Sequence, residues 1–190
     1  MVKYICKDFS TQRIITERGA KLFSIGDKII YGFDGVFTVS EYSSSPIDKN
    51  DTRQFYVLRP VHGQVGNVIM TPVGNEKAKM RAIMSRDEAL AFIDTAPTVA
   101  LLTIDREKDR RDVYRKALEN ASAESLLRII KTVAMRREEL AKVKKRPSES
   151  DNDYEKKAKH CLYGELSIAL EIQIGEVERF IEERISAALT

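Results

Sequence analysis

"FSIGDKIIYGFDGVFTVSEY", residues 23–42, holds three of the nine glycines in the chain, and its reading decides the fold of the first half. A phosphate-cradling loop needs glycines at fixed spacing between a strand and a helix. Gly26, Gly32 and Gly35 have neither that spacing nor a helix-forming segment behind them. They read instead as turn positions with positive φ. "DKIIYG" and "VFTVSEY" are rich in β-branched and aromatic residues, and "GFDG" turns between them. Phe23, Ile25, Ile29 and Tyr31 are assigned to the interior of the module that these strands begin.

Working outward, the β pattern continues to about Met80. "SSSPIDKNDT" is a polar loop, "RQFYVLRPV" a strand, "HGQVGN" a glycine turn, and "NVIMTPV" a strand closed by Pro72. Four short strands with tight turns predict a small, strongly twisted barrel. Val39, Val57 and Ile69 belong to its core with Tyr31, whereas Met70 is open, because a one-residue shift of register reverses its face. Residues 1–22 show no clear period and are read as an extension.

The period changes at Ser85, where Ser85 and Glu88 form a capping-box pattern ahead of "RDEALAFIDT". "TVALLTI" is a short apolar connector or strand. Helical periods follow in "REKDRRDVYRKALENA", in "AESLLRIIKTVAMRREELAKVKK" behind an N-cap at Ser122, in "NDYEKKAKHCLYGELSIALEI" starting from Ser150 with Asp153, and in "GEVERFIEERISAAL". The resulting division is an extension at 1–22, a β domain at 23–84 and a helical domain at 85–190. The fold class is α+β by segregation, a small β-barrel followed by an all-α C-terminal domain.

Charge is distributed unevenly. Ile104–Arg146 carries 14 Lys/Arg against 8 Asp/Glu, and Pro147–Thr190 carries 5 against 10. That asymmetry suggests a face aimed at a polyanion. Arg106, Lys108, Arg110, Arg111, Arg115 and Lys116 crowd one short helix, interleaved with Glu107, Asp109 and Asp112. The helix is either an ordinary solvated one or a source of sequence-independent phosphate contacts. A second cluster, Arg136 and Arg137 with Lys142, Lys144, Lys145 and Arg146, ends the next helix, where cations also suit the macrodipole.

Catalytic and metal chemistry find no support. His62 and His160 have no ligand partner at metal spacing, and adjacent His160 and Cys161 point about 100° apart on a helix. His160 reads as a surface residue beside a buried Cys161. No nucleophile, base and orienting group can be placed together, so the chain is read as a non-enzyme without cofactor or metal. Two distant cysteines and no secretory signal read as reduced thiols of a cytoplasmic protein. No apolar run approaches the roughly 18 residues of a membrane span.

The ordered set "FSIGDKIIYGFDGVFTV", "FYVLRPV", "VIMTPV", "LLRIIKTVAMRREEL" and "KKAKHCLYGELSIAL" resembles the CarD/CdnL family of bacterial transcription regulators, over about Phe23 to Ile185. Its most specific parts are Phe23, Gly26, Asp27 and Tyr31, the strand end at Pro72, and the "LYGELSIAL" helix with Glu165. The resemblance implies that the β domain is a Tudor-like barrel, shared with transcription-repair coupling factors, that docks on the β subunit of bacterial RNA polymerase partly by strand-edge pairing. It implies that the helical domain contacts promoter DNA without reading sequence, and that the free protein is a cytoplasmic monomer.

Two departures stand out. Family members wedge a tryptophan into the minor groove, and this chain has none; Ile104 or Tyr114 is the available substitute. Family docking edges carry arginines where this chain has Ser45 and Met70, which leaves Arg53, Arg59 and His62 as charged contributors. The DNA-facing set is Arg106, Lys108, Arg110, Arg111, Tyr114 and Arg115. The competing reading is a polymerase-binding module that has lost DNA wedging and binding.

Overall fold

The computed structural model describes residues 23–44, 52–62, 67–75 and 78–188. The extension at 1–22 and the docking candidate Ser45 lie outside the described residues.

Five antiparallel strands come first: β1 (Lys28–Tyr31), β2 (Gly35–Ser43), β3 (Phe55–Pro60), β4 (Ile69–Pro72) and β5 (Met80–Ala82). They pair in the order β4-β3-β2-β1-β5. The expected closed barrel is an open sheet instead: among the described residues no pairing joins β4 to β5, so each has one free edge. Gly26, Gly32 and Gly35 all take positive φ, as turn positions require. A bulge between Val39 and Glu41 breaks the β2–β3 register, a feature that bends a strand. β5 has only three residues, Met80, Arg81 and Ala82, too few for their alternation to stand out as a period.

One sheet face carries a compact core of Phe23, Ile29, Phe37, Val39, Tyr56 and Leu58, with Tyr31, Ile69 and Met80 packed against it. Phe23 is pinned at both backbone polar groups. Its N–H donates to the Tyr56 hydroxyl at 3.0 Å, and its carbonyl accepts from the Tyr42 hydroxyl at 2.8 Å. Ile25, expected inside, is 59% exposed, because the turn around Gly26 carries it away from the sheet. Ile30, Val36, Phe55 and Val57 are buried on the opposite face, since Ile30 pairs with Val36 while Ile29 pairs with Phe37.

Five α-helices follow: α1 (Arg86–Thr95), α2 (Arg110–Asn120), α3 (Ala123–Lys142), α4 (Glu149–Leu170) and α5 (Val177–Ala188). The Ser85/Glu88 capping box starts α1, and Ser122 caps α3. "TVALLTI" is a connector. Lys131 of α3 donates to the carbonyls of Ala96, Pro97 and Val99, Arg128 to those of Ala100 and Leu101, and Leu102 N–H donates to the Thr132 hydroxyl. These cations supplement the single 3-10 turn at Ala96–Thr98 and satisfy carbonyls beyond it that have no strand partner among the described residues. The helical core runs through Ile93, Tyr114, Leu118, Leu126, Ile129, Val133, Ala158, Leu162 and Leu166. No helix among the described residues is long and apolar enough to cross a membrane.

The start of α4 lies two residues before the expected one. Ser148 and Asp151 form the capping box, not Ser150 and Asp153. Both pairs have the same spacing; what separates them is that Asp151 is 1% exposed and ion-paired with Arg110 at 2.7 Å. Ser148→Ala is therefore expected to destabilise the fold by about 1 kcal/mol. Ser150→Ala should stay within about 0.5 kcal/mol of the parent. Urea denaturation midpoints of the two variants check this.

Candidate interaction surfaces and the joint between them

The sheet meets the helices through α4. Glu165 lies on the apolar stripe of that helix with Cys161, Leu162 and Leu166, and its side chain is 1% exposed. Its carboxylate accepts two hydrogen bonds from the Arg81 guanidinium of β5, at 2.5 and 2.7 Å, and one from Met84 N–H at 3.0 Å. A bidentate pair of this kind fixes orientation as well as separation. Removing Arg81 alone would strand a buried carboxylate, a class of change that costs about 3 kcal/mol or more when the pair is fully buried and less here, where Arg81 is half-exposed.

Close contacts surround this pair. Cys161 Sγ–H donates to the Phe33 carbonyl at 2.7 Å, and burial pushes its thiol pKa up to about 12, which makes it an inert packing group. His160 is exposed, as expected, yet its ring edges the sheet: a Cβ on Gly35 would lie 3.2 Å from its Nε2. Gly164 is buried where α4 approaches β2, and a Cβ there would meet His62 at 3.3 Å and Val36 at 3.6 Å.

The expected docking residues occupy one half of the sheet, around β3 and β4. Arg59 is exposed and lies 3.9 Å from Glu41, a weak surface pair. Arg53 is exposed, with its guanidinium 5.8 Å from the Phe55 ring centroid, and lines a shallow cleft with Tyr42, Thr52 and Gln54. Met70 is half-buried and pairs with Val57, so it shares the sheet face opposite the Leu58–Ile69 core. His62 points elsewhere. Its ring is 3.1 Å from the Ser167 hydroxyl of α4, so it belongs to the joint rather than to an exposed edge.

The expected DNA-facing set divides. Tyr114 is 0% exposed, with its ring 5.5 Å from that of Tyr154. Arg110 is buried against Asp151 and also pairs with Glu107. Both assignments are corrected: these side chains hold α2 to α4 and offer nothing to a ligand. Ile104, the second wedge candidate, is half-buried and packed against the helical core. Arg106 and Arg115 are exposed but bonded to Asp109, and to Asp112 and Glu119, respectively. Lys108 and Arg111 are exposed and carry no ion pair among the described residues. Arg111 shares an open cleft of about 410 Å³ with Lys157, Tyr154, Glu149 and Asp153. In the second cluster, Arg136 pairs with Glu107 and Arg137 with Glu155. Lys142, Lys144, Lys145 and Arg146 remain exposed.

Sequence reasoning missed the Arg81–Glu165 pair, whose members lie 84 residues apart. The available signal was a glutamate inside an apolar helical stripe, which demands a buried partner. Compared with models of known protein families and with curated proteins, the chain matches none.

Burial lowers the pKa of His62 below its ordinary 6.5, with like charges on His160 and Lys28 acting in the same direction. The folded chain thus binds this proton less readily than the unfolded chain. The neutral ring's contribution is fully present above pH 6.5 and declines as pH falls through that value toward the folded pKa. Between about pH 7.5 and pH 5.5, the parent should lose more stability than His62→Asn. Paired urea titrations at the two pH values check this, and equal losses would remove His62 from the joint.

Proposed function

We propose that the protein is a bacterial transcription regulator of the CarD/CdnL type. Its sheet, read as that family's Tudor-like module, docks on the RNA polymerase β subunit. Its helical part lies on promoter DNA without reading sequence and modulates formation or stability of the open complex. One observation carries most of this reading: a sheet whose β4 edge is unpaired among the described residues and a helical unit with exposed cations are joined by a bidentate ion pair whose carboxylate is buried. An adaptor needs two contact surfaces held in a set relation. A free strand edge supplies main-chain donors and acceptors for strand addition. The adaptor shifts the promoter equilibrium only by binding the open complex better than the closed one. This reading makes the protein a cytoplasmic monomer when free.

A second reading, a polymerase-binding module without DNA wedging, is favoured by one observation: Tyr114 is buried in the helical core and Ile104 is packed half-buried against it. The two readings part at the open complex. The full chain is expected to capture polymerase β from lysate of its own source and to change open-complex lifetime on cognate promoters. Met70→Glu, which places a charge on the β4 strand, should weaken capture several-fold while leaving the urea midpoint of the chain close to that of the parent. Capture without any effect on lifetime at low salt supports the second reading, and absence of capture contradicts both.

A further inference from the structure

We propose that the tip of the α3–α4 hairpin, Lys142–Arg146, is the principal nucleic-acid contact of the chain, gripping phosphates on either side of a duplex minor groove with Val143 between them. The inference rests on the DNA half of the proposed function and relocates its contact surface. α3 and α4 pack against each other across the short connection 143–148, which places them antiparallel. Lys142 lies six residues beyond Arg136, so the tip projects about 9 Å past the ionic cluster that binds α2.

Lys142, Lys144, Lys145 and Arg146 are all exposed, and none has an ion pair among the described residues. No carboxylate interrupts Leu140–Ser148. Among the other exposed cations of the helical half, Arg106 and Arg115 hold carboxylates of their own, Glu149 and Asp153 line the cleft of Arg111 and Lys157, and Lys108, Lys116 and Lys156 each have an acidic residue close along the chain. Val143 is 61% exposed, the highest exposure of any large apolar side chain among the described residues.

The backbone at the tip is costly for the residue it carries. Lys144 has φ of 56°, with its N–H donating to the Ala141 carbonyl at 3.0 Å, while Lys145 N–H donates to Leu140 at 2.8 Å. Glycine suits such a helix end best. A lysine held there retains charge against backbone preference, which is where functional strain collects. Four cations around one turn match two rows of phosphates across a groove about 6 Å wide, and an aliphatic side chain among them suits the groove between. A lipid surface is the poorer fit, because stable adsorption needs an apolar helix face and this tip offers one exposed valine.

The test uses the full chain, forked and blunt duplex DNA, and anionic vesicles, with salt varied from about 50 to about 200 mM. Lys144→Gly suits the local φ, so the triple variant Lys142→Gln/Lys144→Gly/Lys145→Gln removes three charges without backbone strain. Lys116→Gln/Lys156→Gln/Lys157→Gln removes three charges from exposed helix positions elsewhere. The tip triple should lower duplex affinity at least about tenfold and flatten the salt slope by about 2, while the control triple changes both far less. Val143→Ser should weaken binding without changing the slope. Equal losses in the two triples, or unchanged binding by Val143→Ser, overturn this inference and leave the proposed function standing. Preference for vesicles over duplex also overturns it. Absence of duplex binding by the parent at any salt overturns it together with the DNA half of the proposed function, leaving polymerase capture as a separate question.

Discussion

The Glu165 carboxylate, sealed between a helix and a strand, is the constraint on which the rest of the molecule depends. Two hydrogen bonds from Arg81 and one from Met84 N–H meet it on the strand side. Its burial is tolerable only because those donors are present, and they are present only when sheet and helix are in register. The apolar contacts around it would permit sliding, since burial of surface is non-directional. The bidentate pair does not. Gly35 and Gly164 allow the elements to approach closely enough for the pair to form.

A second ionic centre sits at the other end of α4. Asp151, buried beside Ser148, gathers Arg110 from α2 and Arg136 from α3, with Glu107 bridging from the turn before α2. The centre shows why a count of charges misjudged this surface. α2 sends Arg110 inward and Arg115 onto neighbouring carboxylates, and α3 commits Arg128 and Lys131 to backbone carbonyls. The densest run of cations that no carboxylate interrupts lies where the chain turns back on itself.

Much of the architecture was legible because it is written in local terms. The glycine spacing of residues 23–42 excluded a phosphate loop, and the glycines occupy turns. Ser85 with Glu88, and Ser122, cap the helices that their patterns announce. The stripe from Tyr154 to Ala169 is the helical core. The misses have non-local causes. β5 is defined by pairing with β1, not by its own sequence. Ser148 prevails over Ser150 because Asp151 has distant arginine partners. Whether a sheet closes depends on how its outer strands meet, which alternation does not encode. For the candidate surfaces, residue type located the basic region but not the pairing state of its cations, which for Arg136 and Arg137 depends on carboxylates 29 and 18 residues away.

If a single joint holds both surfaces in one relation, the distance between them must be narrowly distributed in solution. Spin labels at Arg59→Cys on β3 and Lys145→Cys on the hairpin tip report that distance by pulsed electron resonance, with Cys6 replaced by Ser and buried Cys161 left in place. The account predicts a single narrow distribution that broadens when Arg81→Met removes the guanidinium from Glu165. A broad distribution in the otherwise unaltered chain, or one that Arg81→Met leaves unchanged, would contradict it.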